Sequence, residues 1–225
     1  MSIAQKIAYF QEQLQATNCR LVAVSKTQPT EALLEAYEAG QRLFGENKVQ
    51  EMTAKQENLP ADIEWHLIGH LQTNKVKYIA PFVHTIQSVD SLKLLQEIDK
   101  QAGKNNRVIN CLLQLYIAEE ETKFGLSPEE ARAILHSAEY NAMQHISITG
   151  VMGIATNTTA KIQLTKEFRF LKSTFLDLKK EFFAQTEAFK EISMGMSSDY
   201  QLAIAEGSTM IRVGSSIFGA RNYNI

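Results

Sequence analysis

The stretch LVAVSKTQPTEALLEAYEAG, residues 21–40, reads as one β-strand followed by one α-helix. Residues 21–25 (LVAVS) form a short apolar run rich in valine, the pattern of a strand buried on both faces. Pro29 can open a helix because its missing N–H is not needed there, and Gly40 can close it. Between them, segment 31–39 carries its apolar residues at helical spacing.

The same unit recurs along the chain. Strand-type runs lie at 42–45, 65–69, 83–88, 108–117 (VINCLLQLYI), 148–154, 189–195 and 210–214, with helical spacing over 92–102 and 162–183 between them. Ser127-Pro128-Glu129-Glu130 combines a serine N-cap, a proline at the first helical position and the reciprocal glutamate of a capping box. Gly103 and Gly207 are expected where helices stop. Strands alternating with helices imply a parallel α/β sheet. The expectation is a closed (β/α)8 TIM barrel, with a doubly wound open sheet as the competing fold. Ile3, Ile7, Phe10 and Leu14 add an amphipathic N-terminal helix. No repeat, low-complexity tract or linker divides residues 1–225, so one domain is expected.

Composition narrows the class. The chain has 225 residues, 44% hydrophobic and 21% charged, which suits one sizeable soluble core. A net charge of −2 leaves no electrostatic footprint for nucleic acid or an anionic membrane. Cys19 and Cys111 are too few and too far apart for a disulfide framework or a zinc site, which points to a reduced, cytoplasmic setting. The N-terminal residues lack the apolar core of a signal peptide, and no run reaches the roughly 18 apolar residues of a membrane span.

In a barrel, the chemistry sits at the C-terminal ends of the strands. Lys26 directly follows the first run, where partial desolvation favours the neutral amine that attacks a carbonyl; a strand-end lysine can equally snorkel to solvent. The segments 193–199 (SMGMSSD) and 210–216 (MIRVGSS) end the seventh and eighth runs in small residues. Barrels commonly hold phosphate there. Gly214 permits close backbone approach, and Ser197, Ser198, Ser215 and Ser216 offer hydroxyls, although such turns also join strands to helices without any ligand. A phosphate site plus a lysine selects a phosphorylated carbonyl compound. Pyridoxal 5'-phosphate (PLP) and the sugar phosphates of Schiff-base aldolases both qualify.

The motifs AVSK (23–26), FGEN.VQE (44–51), WHLIGHLQTNK (65–75), KFG (123–125), SMGMSSD (193–199) and AIAEGSTMIRVGSSIFGAR (203–221) resemble the YggS/PROSC family of PLP homeostasis proteins. The resemblance runs from about residue 20 to the C-terminus. It implies a barrel like the N-terminal domain of alanine racemases, with PLP as a Schiff base on Lys26. It also implies phosphate contacts from Ser197, Gly214 and Ser215, and Arg212 facing the pyridine nitrogen. Asn47 is expected near the ring, and Met152 against the cofactor. Three places depart from the family pattern. Gln114-Leu115-Tyr116-Ile117 replaces QVNI, GVMGI replaces GLMTI, and Ser215 replaces threonine.

Arg212 also bears on activity. PLP is a strong electron sink when its ring nitrogen is protonated, and a guanidinium opposite disfavours that. A racemase further needs a second base, for which Tyr116, Tyr200 and Tyr223 are the tyrosine candidates. His66 and His70 flank the third strand end, where a structural hydrogen bond is the simpler role. The expectation is a PLP-binding protein of vitamin B6 homeostasis, a carrier or buffer and not a dedicated enzyme, with a small amino-acid racemase as the alternative. A monomer is expected, with PLP-dependent apo-enzymes as recipients.

Overall fold

Eight parallel strands close on themselves in the computed structural model, which describes residues 1–119 and 124–219. They are β1 (Arg20–Val24), β2 (Leu43–Glu46), β3 (Glu64–Leu67), β4 (Thr85–Val89), β5 (Ile109–Leu115), β6 (Ile146–Gly153), β7 (Glu191–Ser193) and β8 (Met210–Val213). Each strand pairs with its neighbour in the chain, and β8 returns to β1 with Leu21 opposite Ile211. The closed barrel, not the open sheet, is the fold.

The helices α1 (Ile3–Leu14), α2 (Thr30–Glu38), α3 (Val49–Gln56), α4 (Val76–Ile79), α5 (Leu92–Lys104), α6 (Pro128–His136), α7 (Ala138–Asn141), α8 (Lys161–Phe182), α9 (Tyr200–Ala205) and α10 (Ser215–Phe218) accompany them. Outward strand residues such as Ala23, Phe44, Trp65, Ile86, Leu113, Val151 and Ile211 join Leu33, Met52, Leu95, Ile134 and Phe168 of the helices in one apolar layer. That layer explains why the strands read as continuous apolar runs: they are covered on the outside as well as filled within. Phe183 and Phe175 each stack on Phe189, with ring centroids 4.2 and 4.8 Å apart.

Local signals act largely as read. Ser2 and Gln5 form a capping box on α1, whose Ile7, Phe10 and Leu14 are buried. Ser127 and Glu130 form the expected box on α6. Pro29 is the N-cap of α2 instead of its first residue. Gly40 and Gly207 adopt φ of +94° and +98° just past α2 and α9, the left-handed step that ends a helix. Gly103 is a correction. It lies within the last turn of α5, and Asn106, at φ +51°, makes the left-handed step instead. Gly103 is small for another reason, since a Cβ there would sit 2.7 Å from the His145 ring.

The inward face carries a polar chain among buried apolar residues such as Val22, Met152 and Met210. Arg212 Nη1 donates to Ser193 Oγ (2.6 Å), and Ser193 Oγ donates to Gln87 Oε1 (2.7 Å). Gln87 Nε2 lies 2.8 Å from His66 Nδ1 and also points at Met210 Sδ. The amide nitrogen can only donate, so Nδ1 accepts and the His66 proton resides on Nε2. A directed chain thus crosses the barrel from β8 to β3. Both cysteines are buried and unpaired, and burial pushes the Cys19 thiol up to about 11.

Candidate functional site

The strands end around a cavity of about 320 Å³, within the range of small-molecule sites. Lys26 enters it from the end of β1, Asn47 from β2, and Ile68 from β3. Ile154 enters after β6, Met196, Ser197 and Ser198 after β7, and Gly214 and Ser215 after β8. Arg212 closes the floor. Six of the seven residues expected from sequence therefore meet at one place.

Met152 is the seventh, and it lies elsewhere. It is fully buried in β6 opposite Ser193 and is not among the residues lining the cavity. Ile154, one pleat further along the same face, lines it instead. Side chains two apart on a strand share a face but not a depth. Ser216 is likewise absent from the lining. Lys123 of KFG, Ala220 and Arg221 of the last motif, and Tyr223 lie outside the described residues.

The rim after β7 and β8 is built from backbone and hydroxyls. Gly214 N–H donates to Ser197 Oγ at 3.3 Å, which places the loops after β7 and β8 against each other. Asp199 accepts from Met196 N–H and so folds the β7 loop back on itself. The carboxyl of Asp199 is raised by burial, against the pull of Arg212.

Arg212 is buried, and burial lowers its pKa to about 10, so it remains charged at neutral pH. Its Nη1 is tied to Ser193 Oγ and its Nη2 to the Gly153 carbonyl at 2.9 Å. The guanidinium is therefore fixed by partners beneath the cavity floor. Sequence reasoning missed Ser193 and Gln87, which only barrel closure brings to Arg212.

Two candidate histidines are structural. His70 bonds Asp90 at 3.2 Å and stacks on Phe124 at 4.8 Å. His66 is sealed inside the barrel. Glu64, His66 and His84 bring potential ligand atoms within 4.8 Å of one another near the strand starts. The proton on His66 Nε2 occupies the lone pair a metal would need there. Tyr200 packs its ring against Phe10 of α1, and neither it nor Tyr116 lines the cavity. Among the described residues, the lining contains no tyrosine or histidine to serve as a second base.

Burial holds His66 neutral, well below its ordinary value of 6.5, with repulsion from His84 and Arg20 adding to it. An unfolded chain takes up that proton near 6.5 and the folded one does not. This contribution is complete above pH 6.5 and is lost as pH falls, by about 1.4 kcal/mol per unit at most. Urea unfolding of wild type against His66→Gln should show the variant with the shallower decline from pH 6.5 to 5. Parallel declines would contradict the buried neutral assignment.

Residues 1–222 match the family model described as alanine racemase, N-terminal domain, which defines the class of barrel. Alanine racemase from E. faecalis superposes with a TM-score of 0.76 at 14% identity, over 98% of this chain and 59% of that one, a likeness of fold alone. PipY of Synechococcus elongatus, solved with PLP bound, is 38% identical with a TM-score of 0.87, over 97% of this chain and all of PipY. The pyridoxal phosphate homeostasis protein of Haemophilus influenzae is 38% identical over 227 residues, 99% of this chain and 94% of that protein. The chain belongs to the pyridoxal phosphate homeostasis protein family. Its full-length curated relatives are named as homeostasis proteins, and racemases share only the barrel.

Proposed function

We propose that Lys26 holds PLP covalently, as a Schiff base, and that the chain acts in PLP homeostasis as a carrier or buffer of the cofactor. One observation carries this reading: an amine, a guanidinium and a rim of hydroxyls and amides converge on one cavity from separate strand ends. When bound, PLP supplies an aldehyde that condenses reversibly with an amine. Lys26 offers that amine, Ser197, Gly214 and Ser215 form the anion-binding rim, and Arg212 meets the ring nitrogen. Val24, Ile68, Ile154 and Met196 supply apolar walls for a flat ring, with Asn47 at its edge. Met152 supports this wall from below.

Arg212 cannot accept a proton or release one near neutral pH, so it keeps the ring nitrogen unprotonated. That weakens the electron sink a racemase needs, and it suits a protein that stores a reactive aldehyde. PipY, solved with PLP, and the names of the curated relatives support the same reading. The setting we infer is a cytoplasmic monomer, residues 1–225 acting as one PLP-binding domain, handing PLP to apo-enzymes. Among the described residues, no helix is long and apolar enough to cross a membrane.

Arg212→Met tests the pocket assignment. A hydrogen bond to a charged group contributes about 1.5–3 kcal/mol, so Kd for PLP should rise roughly 10- to 100-fold. Loss of its bonds to Ser193 Oγ and the Gly153 carbonyl leaves buried acceptors unpaired and should lower stability by about 1–3 kcal/mol. Titration of the near-visible band and a thermal melt read both. An unchanged Kd would remove Arg212 from the site.

A further inference from the structure

We propose that Glu51 and Lys55 of α3, with Glu46 of β2, form a positioning clamp on the turn that carries Lys26, and so set the aim of its amine. The proposal rests on the reading that Lys26 binds PLP.

The clamp grips both neighbours of Lys26. On one side, Lys55 Nζ donates to the Ser25 carbonyl at 2.7 Å, while Ser25 Oγ donates to Glu46 Oε1 at 2.6 Å. On the other, Thr27 N–H donates to Glu51 Oε1. Lys55 Nζ ties the two sides together by also donating to Glu46 Oε1 (2.8 Å) and Glu51 Oε1 (2.7 Å). An ammonium has three N–H donors, and here each has its acceptor.

The backbone shows why a clamp is needed. Thr27 has φ +63°, a left-handed conformation that a β-branched residue adopts at a cost of about 1–3 kcal/mol. Such a conformation persists only where its surroundings dictate it. The Glu51 bond to Thr27 N–H holds this step together with the turn bond from Gln28 N–H to the Ser25 carbonyl at 3.0 Å, immediately after Lys26.

The charges are costly where they sit. The side chains of Glu46 and Lys55 are 0% and 7% exposed, and burial pushes the Glu46 carboxyl up to about 7 against the pull of Lys55. Buried ion pairs add little net stability, and fixed geometry is their best-attested return. Here the geometry fixed is that of the residue before Lys26 and the residue after it. None of the three charged residues lines the cavity, so they act through Lys26.

Glu51 is the residue to change, since its side chain is 23% exposed and its loss leaves Lys55 paired with Glu46. Glu51→Ala should speed amide exchange at Thr27 at least tenfold in protein free of PLP. It should also raise Kd for PLP, read from the near-visible band, roughly tenfold. Glu51→Gln, which keeps the acceptor, should restore both. Adding Thr27→Gly to Glu51→Ala should restore PLP affinity, because glycine holds positive φ without help. Glu51→Asn, polar but too short to reach Thr27, gives the same reading if Glu51→Ala folds poorly. Wild-type affinity in Glu51→Ala would overturn the clamp, as would failure of Thr27→Gly to restore binding. If wild type takes up no PLP, the cofactor reading fails, and exchange at Thr27 still judges the clamp.

Discussion

Lys26→Ala is expected to abolish covalent retention of PLP while leaving the barrel folded. The other contacts of the cavity remain in this variant, including the Gly214–Ser197 pair and the buried Arg212. PLP should therefore still enter, weakly and reversibly. What disappears is the amine that joins the aldehyde, so the Schiff-base band should be replaced by that of free PLP, and PLP should be lost on gel filtration. Lys26 is half-buried at the end of β1, outside the apolar layer between strands and helices. Its truncation should shift the melting temperature by no more than about 3 °C. A Schiff-base band that survives in the variant would place the linkage on another lysine.

Gly150→Ala is expected to do the reverse, destroying the fold without touching a cofactor contact. Gly150 lies in β6 opposite Glu191 of β7. A Cβ at this position would stand 1.9 Å from the Glu191 carbonyl oxygen and 2.7 Å from its carbonyl carbon. Both obstacles are backbone, so no rotamer change relieves them, and the two strands must separate. The pairing of β5 with β6 also slips here, from Cys111–Ile148 to Leu112–Gly150, which leaves Thr149 as the extra residue of a bulge. The bulge turns Gly150, Met152 and Ile154 toward the barrel axis. The expected loss exceeds about 4 kcal/mol, a large part of the 5–15 kcal/mol that stabilises a typical domain. Thermal unfolding should show a fall of about 10 °C or more, or no soluble protein. A melting temperature within about 3 °C of wild type would contradict the close approach.

The bulge also explains the limit of reading this site from sequence. Strand ends are legible because the apolar runs stop at polar or small residues, as at Lys26, Asn47 and Gly214. Depth along a strand is not legible, because one extra residue at Thr149 resets which side chain reaches the rim. The bulge decides that Met152 and Ile154 share the inward face, and their two-residue spacing leaves Ile154 at the rim and Met152 below it. The alternation of strands and helices that begins at residues 21–40 was readable, but it fits an open sheet as well as a closed barrel, and the pairing of β8 with β1 decides for closure. Gly103 misled because a glycine near a helix end has two readings, a left-handed step or a close contact, and here His145 decides for contact.

The polar interior was the least legible part. The chain from Arg212 through Ser193 and Gln87 to His66 joins strands β8, β7, β4 and β3, which only barrel closure makes adjacent. One signal was present for the clamp: Glu51 and Lys55 stand four apart on α3, a spacing that pairs charges along a helix. Their burial beneath the Lys26 turn was not in the spacing. A charged pair on a helix is usually solvated, and only the position of α3 against β1 and β2 takes this one out of water.

The most direct measurement is to incubate wild-type protein with PLP, reduce it with borohydride, digest it and map the modified lysine by mass spectrometry. The account predicts a single modified site, Lys26. Modification spread over other lysines, or no incorporation at all, would contradict it.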